Sequence, residues 1–405
     1  TTYKMMGASA VFLGGMFVLD PFAVFFKFVF YIACALGILL SIKYLSIENI
    51  HRGEYYALML FATSGMMLMA SAGDLMTLYL GLELMALSIY ILAGFMRKDQ
   101  RSNEAAMKYL LLGAFSSGIM LYGMSLLFGL SGTTNLTGIL AFLRGADLSN
   151  PILFLAMVML VVSFGFKVAA APFHMWVPDV YEGAPTSVTA FMSAGPKVAG
   201  FAVLLRIFMY ALGPLQASSA VIITVLAVLT MAVGNIMALA QTNIKRMLAY
   251  SSVAHAGYML SGIAAANPEG ETGILFYLMA YTFMNIGAFT CVILLGKKGE
   301  ENTQINDYAG IGFKHPLLAA SMTIFLLSMA GIPPLGGFMA KFYVFSAAVE
   351  SKFYWLVIIA VINSAIAAYY YLRVTVSMFM AEPRPAGADM PKPGWPIWTT
   401  VVLAA

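Results

Sequence analysis

The chain has 405 residues, of which 61% are hydrophobic and 10% charged, and its mean hydropathy is +0.87. Soluble domains carry about 25% charged residues, so the composition excludes an ordinary soluble domain and points to an all-α protein with many membrane spans. A net charge of +4 is too small to imply nucleic acid, and Cys34 and Cys291, without a partner at metal-ligand spacing, read as small buried hydrophobes.

Taken in order, Thr1 to Asp20 is a semi-polar lead-in whose apolar part, Ala8 to Leu19, is too short to span. The first span is Pro21–Ile42. Five runs follow at Tyr55–Ser71, Leu75–Met96, Ala105–Leu130, Ile152–Glu182 and Thr186–Ala211, then five more at Ser219–Ala240, Met247–Ala266, Thr272–Gly296, His315–Val349 and Tyr354–Met380. Each is near or above the ~20 residues a bilayer requires. A last run starts at Ile397. The division is therefore 1–54 (lead-in and first span), 55–211, 219–380, and 381–405 (a loop and the start of another span). With no initial methionine or signal pattern, and an end inside an apolar run, the sequence reads as a piece clipped at both ends.

In each set of five the fourth run is long and interrupted, by APFHMWVP within 152–182 and by GIPPLGG within 315–349. Proline breaks the helical hydrogen-bond ladder, which lipid tolerates only where protein or water takes up the freed groups. An odd number of spans per set turns the second set over, so the expectation is two inverted five-helix repeats, each with a discontinuous helix, a pattern that marks transport sites near the bilayer midplane. Lys43, Arg52, Arg97, Lys98, Arg101, Lys245, Arg246, Lys297, Lys298, Lys314, Arg384 and Lys392 fall on one side, against Lys4, Arg144 and Lys352 on the other. The first side is expected to be cytoplasmic.

Four ionisable residues on four different runs lie at similar depth: Glu83, Lys167, Lys197 and Lys341. A lysine at the centre of a membrane helix costs at least ~2.5 kcal/mol and normally faces a partner or a wet cavity. Burial and a neighbouring carboxylate act in opposite senses on a lysine's proton affinity, so moving the carboxylate away can release a proton. Glu83 is the natural partner of Lys167, and two readings stand: a contact that forms and breaks while Lys197 and Lys341 pass protons on, or a static ion pair. Lys108 is open between snorkelling and relay, and His255 and His174 between packing and relay. Lys27, Arg206 and Arg373 read as snorkelling, Asp179 and Glu182 as groups that cap or orient the short half-helix, and Tyr369 to Tyr371 with Trp355 as interfacial anchors. Pro196 is expected to bend the helix that carries Lys197. No CxxC, HExxH or strand-linked GxGxxG occurs, so redox cofactors have no visible ligands in this chain.

The runs GFKVAAAPFHMWVPDVYEGAP, YLGLELMALSIYIL, QTNIKRMLAYSSVAHAGY and MAGIPPLGGFMAKFYVF resemble the antiporter-like subunits of bacterial proton-pumping NADH–quinone oxidoreductase, respiratory complex I, and among them the subunit N family. The likeness covers about Asp20 to Met380. It implies an antiporter-like fold in which Glu83, Lys167, Lys197 and Lys341 match the family's proton-transferring glutamate and lysines, and Lys108 a further lysine. Subunit M has a glutamate where Lys341 stands. The resemblance further implies no cofactor in this chain, with NADH, FMN, iron–sulfur clusters and quinone in partner subunits. The implied partners are a second antiporter-like subunit, small membrane subunits and the lipid of the bacterial inner membrane. The rival readings are a subunit of a cation/proton antiporter or of a ferredoxin- or hydrogenase-linked relative, and a purely structural membrane subunit.

Overall fold

Aspartate and asparagine start many of the helices, because their side-chain oxygens take up backbone N–H groups that the first turn leaves unpaired. The computed structural model describes residues 7, 9–50, 52–296, 302–382 and 401–402. In it Asp20 caps α1 (Pro21–Glu48), accepting from Ala23 N at 2.7 Å. After α2 (Glu54–Ala70), Asp74 caps α3 (Leu75–Ala93) and Asp99 caps α4 (Gln100–Ser131). Asn135 and Asn150 cap α5 (Leu136–Gly145) and α6 (Pro151–Val168), and α7 (Trp176–Gly183) and α8 (Thr186–Leu204) follow. The rest comprises α9 (Gln216–Leu239), α10 (Ile244–Ala265), α11 (Pro268–Leu295), the single turn α12 (Ile311–Lys314), α13 (Pro316–Ala330), α14 (Gly336–Glu350) and α15 (Tyr354–Met380). Among the described residues eight helical segments are long and apolar enough to cross a bilayer.

The two interrupted runs are each split in two. α6 ends at Ala169 (φ 66) and α13 at Gly331 (φ 88), both in the left-handed region that closes a helix. Each break holds a cis prolyl bond, Ala171–Pro172 and Pro333–Pro334. Two elements differ from expectation. The lead-in forms an antiparallel ribbon, β1 (Ala10–Phe12) on β2 (Phe17–Leu19), with Gly14 and Gly15 at positive φ in its turn. The short helix α5 lies where the sequence shows only a connection.

The halves share a local signature. Asp74 bridges to Asn135 and Asn243 to Gln304. Leu75 N donates to Thr134 O at 2.9 Å and Ile244 N to Thr303 O at 2.7 Å, while Leu136 N reaches Gly73 O and Ile305 N reaches Thr242 O. Gly65 of α2 faces Met85 N of α3 as Gly234 of α9 faces Ala254 N of α10, each so closely that a Cβ would stand 2.5 Å away. Bare glycines let membrane helices meet at this range. One constant sequence separation relates all of these pairs.

Every residue of α8, and every residue of α10 but Arg246, is buried. Lys245, counted by sequence as a loop charge, is one of them: its Nζ donates to Ala184 O at 3.0 Å. Lys4, Lys297, Lys298, Arg384, Lys392 and the run from Ile397 to Thr400 lie outside the described residues.

Candidate functional site

The deep charges sit on helices that meet at the two breaks. Glu83 of α3 is partly exposed and its Oε1 accepts from Ser117 Oγ of α4 at 2.5 Å. Tyr90, two turns further along α3 and so on the same face, points its hydroxyl at Lys167 Nζ, 3.5 Å away. Lys167 occupies the last turn of α6 and is 7% exposed. No ion pair joins it to Glu83 among the described residues, so the proposed partners stand apart, with Tyr90 beside the lysine and Ser117 on the glutamate.

Lys167 backs onto α8 at Gly200, where an added Cβ would lie 3.8 Å from the lysine's own Cβ. Lys197 is one turn earlier on α8, and its Nζ donates to Ser252 O at 2.5 Å and also meets the Ser252 hydroxyl. Ser252 and His255 are one turn apart on α10. His255 is held by two tyrosines, with Nδ1 2.6 Å from Tyr277 Oη and Nε2 3.2 Å from Tyr371 Oη, and Tyr371 also bonds Ser251. The buried polar line thus passes from α8 through α10 to α15.

Lys341 stands in the second turn of α14 and folds back over the break. Its Nζ donates to Ala330 O at 2.9 Å and Ser364 Oγ at 2.8 Å, and lies 4.8 Å from the centre of the Tyr258 ring. Ala330 is the last residue of α13, whose end carries unpaired carbonyls and a partial negative charge that suits an ammonium. A cation at the end of a half-helix is the arrangement that membrane transporters use for ions.

Lys108 and His174 are not brought to this line. Lys108 lies at its helix end, 42% exposed, on Asp179 at 2.6 Å and Glu104 at 2.8 Å. His174 is half-buried in the first break, and its Nδ1 has no partner among the described residues. Asp179 and Glu182 orient α7 from outside rather than cap it: both accept from Arg246 Nη1 of α10 at 2.8 Å, and Asp179 also ties to α4. Lys108, Asp179 and Glu182 line a cavity of about 210 Å³ together with Arg101. Partly exposed pairs of this kind contribute about 0.2–1 kcal/mol each. Arg246→Gln is therefore expected to leave assembly near normal and to lower the unfolding temperature only slightly, measured by native electrophoresis and a melting curve.

Three sequence readings are corrected by the packing. Arg206 does not snorkel but pairs with Asp20 at 2.8 Å. Arg373 closes the end of α9, donating to Leu239 O at 3.1 Å and to Gln241 O. Of the three tyrosines read as anchors only Tyr369 is exposed; Tyr370 and Tyr371 are fully buried and hydrogen-bonded, Tyr370 to Asn235 Oδ1 at 3.0 Å. Ser252, Tyr277 and Tyr371 are the members of the line that sequence reasoning missed. The signal for one of them was present, since Ser251, Ser252 and His255 recur at helical spacing in one run.

A family model described as NADH:quinone oxidoreductase/Mrp antiporter, TM, matches residues 72–367, a span that contains Glu83, both breaks and all three buried lysines of the line. The chain belongs to this NADH:quinone oxidoreductase/Mrp antiporter family. A protein of Trichlorobacter lovleyi named NADH-quinone oxidoreductase subunit N is 57% identical over 363 residues, covering 89% of this chain and 74% of the relative. A second, named NADH-quinone oxidoreductase subunit N 2, from Rhizobium meliloti, is 52% identical over 387 residues, covering 95% and 80%. Among solved structures, a chain of respiratory complex I from Thermus thermophilus with bound aureothin matches with a TM-score of 0.83 and 34% identity, over 100% of this chain and 86% of that one. The resemblance drawn from the four sequence runs, and the membrane-spanning antiporter-like fold expected with it, are borne out. Within the NADH:quinone oxidoreductase/Mrp antiporter family, the likeness is to the oxidoreductase side.

Proposed function

We propose that this chain is a proton-translocating membrane-arm subunit of an NADH–quinone oxidoreductase, and that Glu83, Lys167, Lys197, His255 and Lys341 form the line along which protons move. The observation that carries this reading is the burial of Lys167, Lys197 and Lys341 to 7%, 3% and 4% exposure on hydroxyl and carbonyl partners, with no carboxylate in ion-pair contact among the described residues. A carboxylate partner would fix the ammonium form. Neutral oxygens leave the proton free to depart, and an imidazole between the lysines has one ring nitrogen to take up a proton and one to give it. The energy comes from quinone reduction in partner subunits, which hold the NADH, FMN, iron–sulfur and quinone sites. The neighbours of this chain are other membrane-arm subunits in the bacterial inner membrane.

The shared signature of Asp74 with Asn135 and Asn243 with Gln304 supports an internal duplication over 55–211 and 219–380. An odd number of spans in each half would make the copies inverted. At the same separation Glu83 corresponds to Ser252, so the position that carries the acid in the first half would receive Lys197 in the second.

Glu83→Gln keeps the size of the side chain and its bond to Ser117 while removing the charge. The complex is expected to assemble and to pump several-fold fewer protons per NADH oxidised, read with a pH-sensitive dye in inverted membrane vesicles. A normal ratio would remove Glu83 from the line.

A further inference from the structure

The far end of α8 carries a second polar site that the lysine line does not use. There the helix runs into a π-helical turn, Leu205–Ala211, a local widening often found at functional sites. Arg206 on this turn is 11% exposed; its Nη2 pairs with Asp20, its Nε donates to Ala70 O at 2.9 Å, and its guanidinium lies 4.8 Å from the centre of the Phe22 ring. Its Nη1 donates to no protein group among the described residues. Across a cavity of about 440 Å³ stands Glu271, in the first turn of α11, half-buried and accepting no hydrogen bond from the protein among those residues.

A buried guanidinium with unused N–H groups and a carboxylate with no donor are unfavourable beside a bilayer unless something supplies their partners. They line one cavity, together with Asp20, without pairing to each other; Arg206 keeps N–H groups to donate and Glu271 oxygens to accept, so an occupant with acceptor oxygens for the first and an N–H cation for the second fits both. Guanidinium matches phosphate with paired hydrogen bonds, and the volume is that of a small-ligand site. The rest of the lining includes Val11, Val18, Leu205 and Met209, with Val11 66% exposed and Tyr210 51% exposed. Such a wall, at the ends of membrane helices, suits a ligand that continues into acyl chains.

We propose that this cavity binds the phosphoethanolamine headgroup of a membrane phospholipid, with Arg206 on the phosphate and Glu271 on the primary ammonium. Phosphatidylcholine, whose methylated amine has no N–H to give Glu271, is a poor substitute.

The test uses the assembled oxidoreductase, stripped of lipid in detergent and returned to vesicles of phosphatidylcholine with or without phosphatidylethanolamine, with retained lipid counted by native mass spectrometry. Wild type should retain phosphatidylethanolamine in preference to phosphatidylcholine. Because losing a charge-assisted hydrogen bond lowers affinity on the order of tenfold, Glu271→Gln should abolish that preference while leaving turnover intact. Arg206→Gln should weaken retention of both lipids but also breaks the pair with Asp20, so Glu271→Gln carries the test. Equal retention in wild type and Glu271→Gln would overturn the proposal. So would equal retention of soluble phosphoethanolamine offered in place of the lipid, which would point to a free solute, or a map in which a neighbouring subunit fills the cavity.

Discussion

Lys197→Met is expected to abolish coupled proton translocation while leaving the complex assembled. The lysine is 3% exposed and its Nζ is held by the hydroxyl and carbonyl of Ser252, so methionine fills the space of the stem and removes only the titratable group. A positioned acid–base group contributes about 10²–10⁴-fold to a proton transfer, and in a line of steps in series the slowest sets the flux. Proton uptake by vesicles should therefore fall to background when NADH is added. Lys197→Arg separates the two readings of a buried cation. It keeps the charge but does not deprotonate in a protein, so a relay predicts failure, whereas a static charge that only fixes helix packing predicts recovery.

Gly337→Ala should prevent a normal second break from forming. A Cβ on Gly337 would lie 1.8 Å from the backbone oxygen of Ser328 and 2.6 Å from its carbonyl carbon, and neither atom can move without shifting α13. The N–H of Gly337 also donates to Ser328 Oγ at 3.0 Å. Overpacking a tight interior costs about 1–3 kcal/mol where side chains can yield; here backbone meets backbone, and the effect should exceed that range. Lys341 follows one turn later on α14 and would be carried away from Ala330 O and Ser364. The expected result is little or no assembled subunit in membranes. Gly118→Ala is the control, because nothing lies within 4 Å of a Cβ there and alanine in an exposed helix interior is favourable by roughly 0.5–1 kcal/mol.

The spans and the two breaks were legible because proline and apolar length act locally. So were the deep charges, since a lysine in an apolar run has few physical explanations. What the lysines would touch was not legible, because contacts across helices depend on how α8, α10 and α15 are rotated. The tyrosine run shows why: successive helical residues point about 100° apart, so on a helix with an outward face, such as α15, three adjacent tyrosines do not share one fate. One faces outward and two face the core, and Tyr371 reaches His255 only through a pairing between distant helices. Arg206 and Arg373 look alike in sequence at the ends of spans. Only the packing reveals that one meets Asp20 and the other closes α9. The ribbon at β1 and β2 had a signal in Gly14-Gly15 between apolar residues, masked by a run that was weighed only as a possible span.

Whether the buried lysines conduct turns on water. An ordered-water map of the assembled complex, at a resolution that shows individual molecules, is the direct measurement. A conducting line requires hydrogen-bonded waters from Glu83 to Lys167, from Lys167 to Lys197, and from His255 to Lys341. Dry side-chain packing that seals any of these gaps in every conformational state would contradict it.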